Sequence, residues 1–211
     1  MPILSEAALA SFIAALFSMM NPVGNLGVFA GMTADRAEGE AKQIAWTCAF
    51  AVAVTLIVIA WTGSLVMAFF GVTVDSLRAA GGVIVLLIGL QMLSNKQDHR
   101  HSPDELGDAK SRASIAVVPL AIPIVAGPGT MAAVLVAVQQ HHSVLSKTEV
   151  TVAIVALSAL TGLMFSFATP LAKWLGSAGI GVITRIMGMI LAAIAMGMLA
   201  EGLKGLLPGL A

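Results

Sequence analysis

The chain has 211 residues, 58% of them hydrophobic and 10% charged, and its mean hydropathy is +0.96. A soluble domain carries about 25% charged residues, so these few polar groups cannot coat a core of this size, and a bilayer is the solvent that fits. Eleven Lys and Arg balance eleven Asp and Glu, which leaves no electrostatic footprint for a nucleic acid; the lone Cys48 excludes an internal disulfide, and with four scattered His it argues against a structural zinc site.

The charges are unevenly placed. Thirteen of the 22 fall within residues 35–42 and 96–112, and the other nine sit near the ends of apolar runs. The uncharged runs cover residues 7–34, 43–74, 79–95, 113–146 and 150–172, followed by a last segment that contains Arg185 and ends near Ala200. About 20 residues rising ~1.5 Å each cross a hydrocarbon core of ~30 Å, so six spans fit, with five or seven as the alternatives. The first run has Glu6 and no Lys or Arg ahead of it, unlike a cleaved leader, so the first helix is expected to stay. Residues 43–74 are read as one tilted helix with an outer tail. Residues 113–146 are read likewise, their apolar part closed by Gln139, Gln140, His141 and His142.

With six spans both termini lie on one side. The loops after spans one, three and five carry Arg36, Lys42, Lys96, Arg100, Lys110, Arg112 and Lys173, against Lys147, Lys204 and Arg78 opposite. The excess of basic residues makes the linker 96–112 cytoplasmic and both termini periplasmic or extracellular. Trp46 and Trp174 fall near predicted interfaces, whereas Trp61 is expected to pack deeper.

Two landmarks repeat. Pro22, within Asn21-Pro22-Val23-Gly24-Asn25 of span one, aligns with Pro128, within Gly127-Pro128-Gly129-Thr130 of span four, at an offset of 106. Arg78 and Arg185 head spans three and six at an offset of 107, each followed three residues later by a glycine, Gly81 and Gly188. The single membrane domain, 1–211, therefore reads as an all-α polytopic protein: six transmembrane helices in two inverted three-helix repeats, 7–95 and 113–204, with broken first and fourth helices. Because three is odd, the second repeat enters the membrane upside down, the architecture of many secondary transporters.

Pro removes an N–H and clashes with the preceding turn, so each motif should interrupt its span near the middle. Unwound backbone at that depth is tolerated only against protein or a watery cavity. Exposed N–H groups there favour a carboxylate and free carbonyls favour an ammonium or a cation, with Asn21, Asn25, Ser18 and Thr130 adding side-chain donors and acceptors. A zwitterion suits such a site. The expected substrate-binding residues are Asn21, Pro22, Gly24, Asn25, Gly127, Pro128, Gly129 and Thr130, with Asn21, Asn25, Gly127 and Thr130 as the direct contacts and Pro22 and Pro128 shaping the breaks; the alternative is a pair of kinks used for helix packing. Arg78 and Arg185 are either snorkelling to headgroups or gating and holding a substrate carboxylate in one of two states. Gly82 with Gly89, and Thr184, Gly188 and Ala192, look like close-packing faces.

No Asp, Glu, Lys or His lies mid-membrane, which favours a small neutral solute. A coupling ion, proton or sodium, is compatible with Glu201 or Asp75 at a helix end or with a site of carbonyls and hydroxyls. No ATP-binding loop, zinc-protease motif or nucleophile turn is present, so neither an enzyme nor a bound cofactor or metal is expected.

The segments Asn21-Pro-Val-Gly-Asn-Leu-Gly-Val-Phe29 and Pro119-Leu-Ala-Ile-Pro-Ile-Val-Ala-Gly-Pro-Gly-Thr130 resemble the two hallmark segments of the MarC family, also called the small neutral amino acid transporter family, within the LysE-like exporters. The resemblance covers essentially the whole chain. It implies an integral protein of the bacterial inner membrane that moves small neutral amino acids such as glycine, alanine or serine. An exporter of other small metabolites, or a membrane scaffold or regulatory subunit that transports nothing, are the other readings. A homo-oligomer is compatible with the glycine faces.

Overall fold

The computed structural model describes residues 6–94, 121, 125–140, 143–207 and 209. The linker 96–112, the start of the predicted fourth span with Pro119 and Pro123, and His141 and His142 lie outside the described residues. Seven helices occur among the described residues: α1 Glu6–Met20, α2 Leu26–Met32, α3 Glu38–Phe70, α4 Val74–Ser94, α5 Pro128–Gln140, α6 Val144–Ser166 and α7 Ala168–Leu206.

Local chemistry sets their ends. Asn21 takes a left-handed φ of 44° directly before Pro22 and stops α1, a conformation that Asn tolerates better than most residues. Glu38 and Glu40 occupy the first turn of α3, where negative charge suits the helix dipole. The helix then runs for 33 residues to Gly71, whose φ of 66° supplies the left-handed cap. Thr73 and Ser76 cap α4 reciprocally, each accepting the other's backbone N–H, at 3.1 and 3.2 Å. Ser143 caps α6 by accepting the Ser146 N–H at 3.1 Å.

Four helical segments are long and apolar enough to cross a bilayer: α3, α4, α6 and the part of α7 that spans Ala178–Leu206. The shorter apolar pieces are α1 and α5. Where one fifth span over 150–172 is expected, α6 stops at Ser166. The Phe167 N–H folds back onto the Met164 carbonyl at 3.2 Å, and a new helix starts at Ala168. Pro170 sits in its first turn, where a missing N–H costs nothing. This helix bends at Gly176, with φ 63° and ψ 170°, and continues past the expected end near Ala200. Trp61 is also not the deep packing residue expected: it is 44% exposed, its indole N–H donates to the Thr151 hydroxyl at 3.1 Å, and the Lys147 ammonium lies 5.8 Å from its ring. That charge marks the level of an interface.

The helices pack by pairs. Along α4 and α7, Gly89 meets Gly188 and Ala192, Gly82 meets Ala195 and Leu199, and Ala79 meets Gly202, an antiparallel order. A Cβ on Gly89 would lie 2.8 Å from the Gly188 carbonyl oxygen, so the two backbones touch. Of the expected close-packing residues, Gly82, Gly89, Gly188 and Ala192 lie in this seam. Helices α3 and α6 also run antiparallel, with Ala49 and Trp46 against Gly162, and Trp61 against Thr151. Helix α1 packs on α5. One buried apolar cluster joins α1, α2, α3, α5, α6 and the start of α7, and a second, of Val85, Leu191 and Ala195, lies between α4 and α7. The large apolar side chains left outside, such as Phe50, Leu65 and Phe69, face outward as lipid-exposed residues do.

Candidate functional site

The first break spans the four residues after Asn21, between α1 and α2. Pro22 is buried, and Asn21, Gly24 and Asn25 are half-buried. The Asn21 carbonyl oxygen Oδ1 accepts the Gly24 N–H at 3.2 Å, and Asn25 Nδ2 donates to the Met20 carbonyl at 3.1 Å, one of the orphan carbonyls at the end of α1. Part of each amide therefore repairs the break. Among the described residues, the Asn21 amide nitrogen and the Asn25 Oδ1 are left without a partner, one donor group and one acceptor.

The second break takes a different form. The chain enters α5 at Pro128, its first residue, with Gly127 just ahead accepting the Met131 N–H at 3.0 Å. Gly127, Gly129 and Thr130 are all buried. The Thr130 hydroxyl donates to the Val125 carbonyl at 3.1 Å, and the Ala126 N–H reaches back five residues to Ala121 at 2.8 Å. Residues flanking both breaks, Met20 and Leu26 on one side and Val125 and Ala126 on the other, belong to the same buried cluster. No hydrogen bond joins Asn21 or Asn25 to residues 127–130 among the described residues. Ser18, grouped with this site by sequence, lies 3.9 Å from the Met187 sulfur and faces α7 instead.

The two arginines differ. Arg78 is 14% exposed and bridges α4 to α7, its Nη1 lying 3.7 Å from Asp75 Oδ1 and 3.5 Å from Glu201 Oε2. Its buried Nε has no hydrogen-bond partner among the described residues. Arg185 is exposed and makes no ion pair among them.

Sequence reasoning missed two further features. A cleft of about 770 Å³ opens where the α2–α3 turn meets the α6–α7 junction, with Arg36 and Lys173 in its lining. At its inner end Phe29 and Phe165 stack with centroids 4.7 Å apart and an interplanar angle of 22°. Phe29 closes the hallmark segment of span one, but nothing in its spacing points to Phe165. Among the described residues no group of three or more His, Cys, Asp or Glu is placed to hold a metal ion.

Comparison with known proteins gives the family. The pattern described as "MarC family integral membrane protein" matches residues 7–207. The chain is 37% identical over 195 residues to the UPF0056 membrane protein YvbG of Bacillus subtilis (strain 168), covering 92% of each chain. It is 35% identical over 200 residues to the UPF0056 membrane protein YhcE of Escherichia coli (strain K12), covering 94% of this chain and 93% of that one. Identity to the UPF0056 membrane protein MJ1677 of Methanocaldococcus jannaschii is 35% over 193 residues, 91% of this chain and 94% of that one. No solved structure matches the chain. With apolar helices long enough to span and a match over nearly its whole length, the chain is an integral membrane protein and belongs to the MarC family.

Proposed function

We propose that the chain is a secondary transporter that moves small neutral amino acids of the glycine, alanine and serine type across the inner membrane by alternating access. The observation that carries this reading is the pairing of counterparts. If the two halves are inverted repeats, α4 corresponds to the Ala178–Leu206 part of α7, α3 to α6, and the broken first span to the span that contains α5. Each packs on its counterpart, the first two pairs antiparallel. A third landmark joins the two found in the sequence: the only glycines with positive φ among the described residues are Gly71 and Gly176, at an offset of 105. Two inverted halves that exchange conformations exchange an outward-open for an inward-open state.

In this reading the spare Asn21 amide and Asn25 carbonyl oxygen serve the carboxylate and ammonium of the substrate, and Gly127, Gly129 and Thr130 present backbone from the opposite half. Pro22, Gly24 and Pro128 hold the breaks open. The face with Arg36, Lys42 and Lys173 is cytoplasmic, and Arg78 closes the opposite face through Glu201. Purified protein in vesicles loaded with glycine, alanine or serine tests it. Counterflow of the labelled amino acid should appear, and Asn21→Ala and Thr130→Val should abolish it; none above empty vesicles would sink the proposal. One observation favours the scaffold reading instead. The hydroxyl of Thr130 and part of both Asn amides bond within their own breaks, as in plain kinks.

A further inference from the structure

The cleft carries chemistry that the broken helices do not. Its rim holds two cations, Arg36 and Lys173, with no ion-pair partner among the described residues. The acid on the same rim, Glu38, is already held by Lys42 at 2.8 Å. Among the described lining residues the rim is therefore electropositive on balance, and its field reaches about one screening length, ~8 Å at physiological salt. Deeper in, the Thr33 and Ser166 hydroxyls each donate their proton to a backbone carbonyl at 2.8 Å, of Phe29 and Gly162. Their oxygens keep lone pairs that can accept from an ammonium. The inner wall is the Phe29–Phe165 stack, each ring 1% exposed. Phe29 begins one turn beyond the first break, its N–H bonded to the Asn25 carbonyl at 2.9 Å. The volume, about 770 Å³, suits a small solute that still carries water.

We infer that this cleft is a loading site for an α-amino acid, with Arg36 and Lys173 holding the α-carboxylate, Thr33 and Ser166 receiving the ammonium, and the Phe29–Phe165 pair separating it from the first break. The inference rests on the transport reading and adds to it a second binding site, distinct from the breaks. A guanidinium fork is the side chain best matched to a carboxylate, and Lys adds a point charge beside it.

The test uses the full chain in phosphatidylcholine nanodiscs, with Cys48→Ala and one reporter cysteine at the exposed cleft position Thr169→Cys. A second reporter, Ala34→Cys, serves if the first fails to fold. The rate of modification by a charged thiol reagent is measured with alanine or alaninamide added. At a Kd of about 1 mM, ~10 mM alanine slows modification about ten-fold. Alaninamide, which has the ammonium without the carboxylate, leaves the rate unchanged, and the pair Arg36→Gln with Lys173→Gln abolishes protection by alanine. Unaltered rates with alanine at any concentration overturn the cleft site. If the same preparation still shows alanine counterflow in vesicles, transport stands and the loading site alone falls. If counterflow is absent too, both fall.

Discussion

If the two halves are inverted repeats, the α4–α7 pair has two equivalent ends, and the structure makes them different. At one end Arg78 is largely buried and meets Glu201 and Asp75. At the other, Arg185 stands at the matching position, and the residue 107 places before Glu201 is Ser94, whose hydroxyl donates to the Gln91 carbonyl at 3.1 Å. The crowding differs too. A Cβ on Gly202, near Arg78, would sit 2.6 Å from the Ala79 nitrogen, while one on Gly181, near Arg185, meets nothing within 4 Å. By helix order the cleft opens on the Arg185 side. The difference teaches that, among the described residues, a carboxylate meets the arginine at the Arg78 end only, so on the transport reading the pair is fastened where Arg78 lies and open where Arg185 lies.

The packing half of this comparison should give the largest effect. Gly202→Leu forces α4 and α7 apart and should cost about 3 kcal/mol, read as a lower midpoint in thermal unfolding in detergent. Gly181→Ala should be neutral or gain up to ~1 kcal/mol. Equal losses at both sites would remove the distinction. Next comes the charge itself. Arg78→Met keeps an apolar stem against its neighbours and removes the ion pairs, and it should change alanine counterflow about five-fold, equivalent to ~1 kcal/mol. Arg185→Met should leave counterflow unaltered.

A smaller change is expected for Glu201→Gln. Glu201 is 65% exposed and Asp75 40%, so solvent screens the cluster and the loss should stay below ~1 kcal/mol. The variant and the parent should converge at about 1 M salt, where the screening length falls to ~3 Å. Smallest of all, Ser94→Glu gives Arg185 the carboxylate its counterpart has. A gain of a few tenths of a kcal/mol should bias the cleft toward closure, seen as slower labelling of Thr169→Cys. Faster labelling would contradict the matched geometry of the two ends.

Much of this architecture was legible in the sequence because its signals are steric. Asn21-Pro22 had to end a helix, and the glycines at 82, 89 and 188 had to lie at a close contact between helices. The junction at Phe167 was not legible. No glycine marks it, Pro170 falls where a first turn accepts it, and the apolar run continues across it unbroken. Glu201 was equally hidden as the partner of Arg78, since its place at a helix end was evident but nothing in the sequence order says that folding brings it beside residue 78. The candidate site was half legible. Its residue types were evident, but how far Asn21, Asn25 and Thr130 would be occupied by their own backbone depends on dihedral angles that no motif records.

The seam of Gly82, Gly89 and Gly188 also bears on how the chain is made. Its two sides leave the ribosome about 100 residues apart, so at 5–20 residues per second α4 waits roughly 5–20 s in the lipid for the helix that covers it. A helix with bare glycine on its contact face can pair during that interval with any small-residue helix nearby, including α4 of another nascent copy. Slowing translation between residues 94 and 178 should therefore lower the yield of folded protein without altering one that is already assembled.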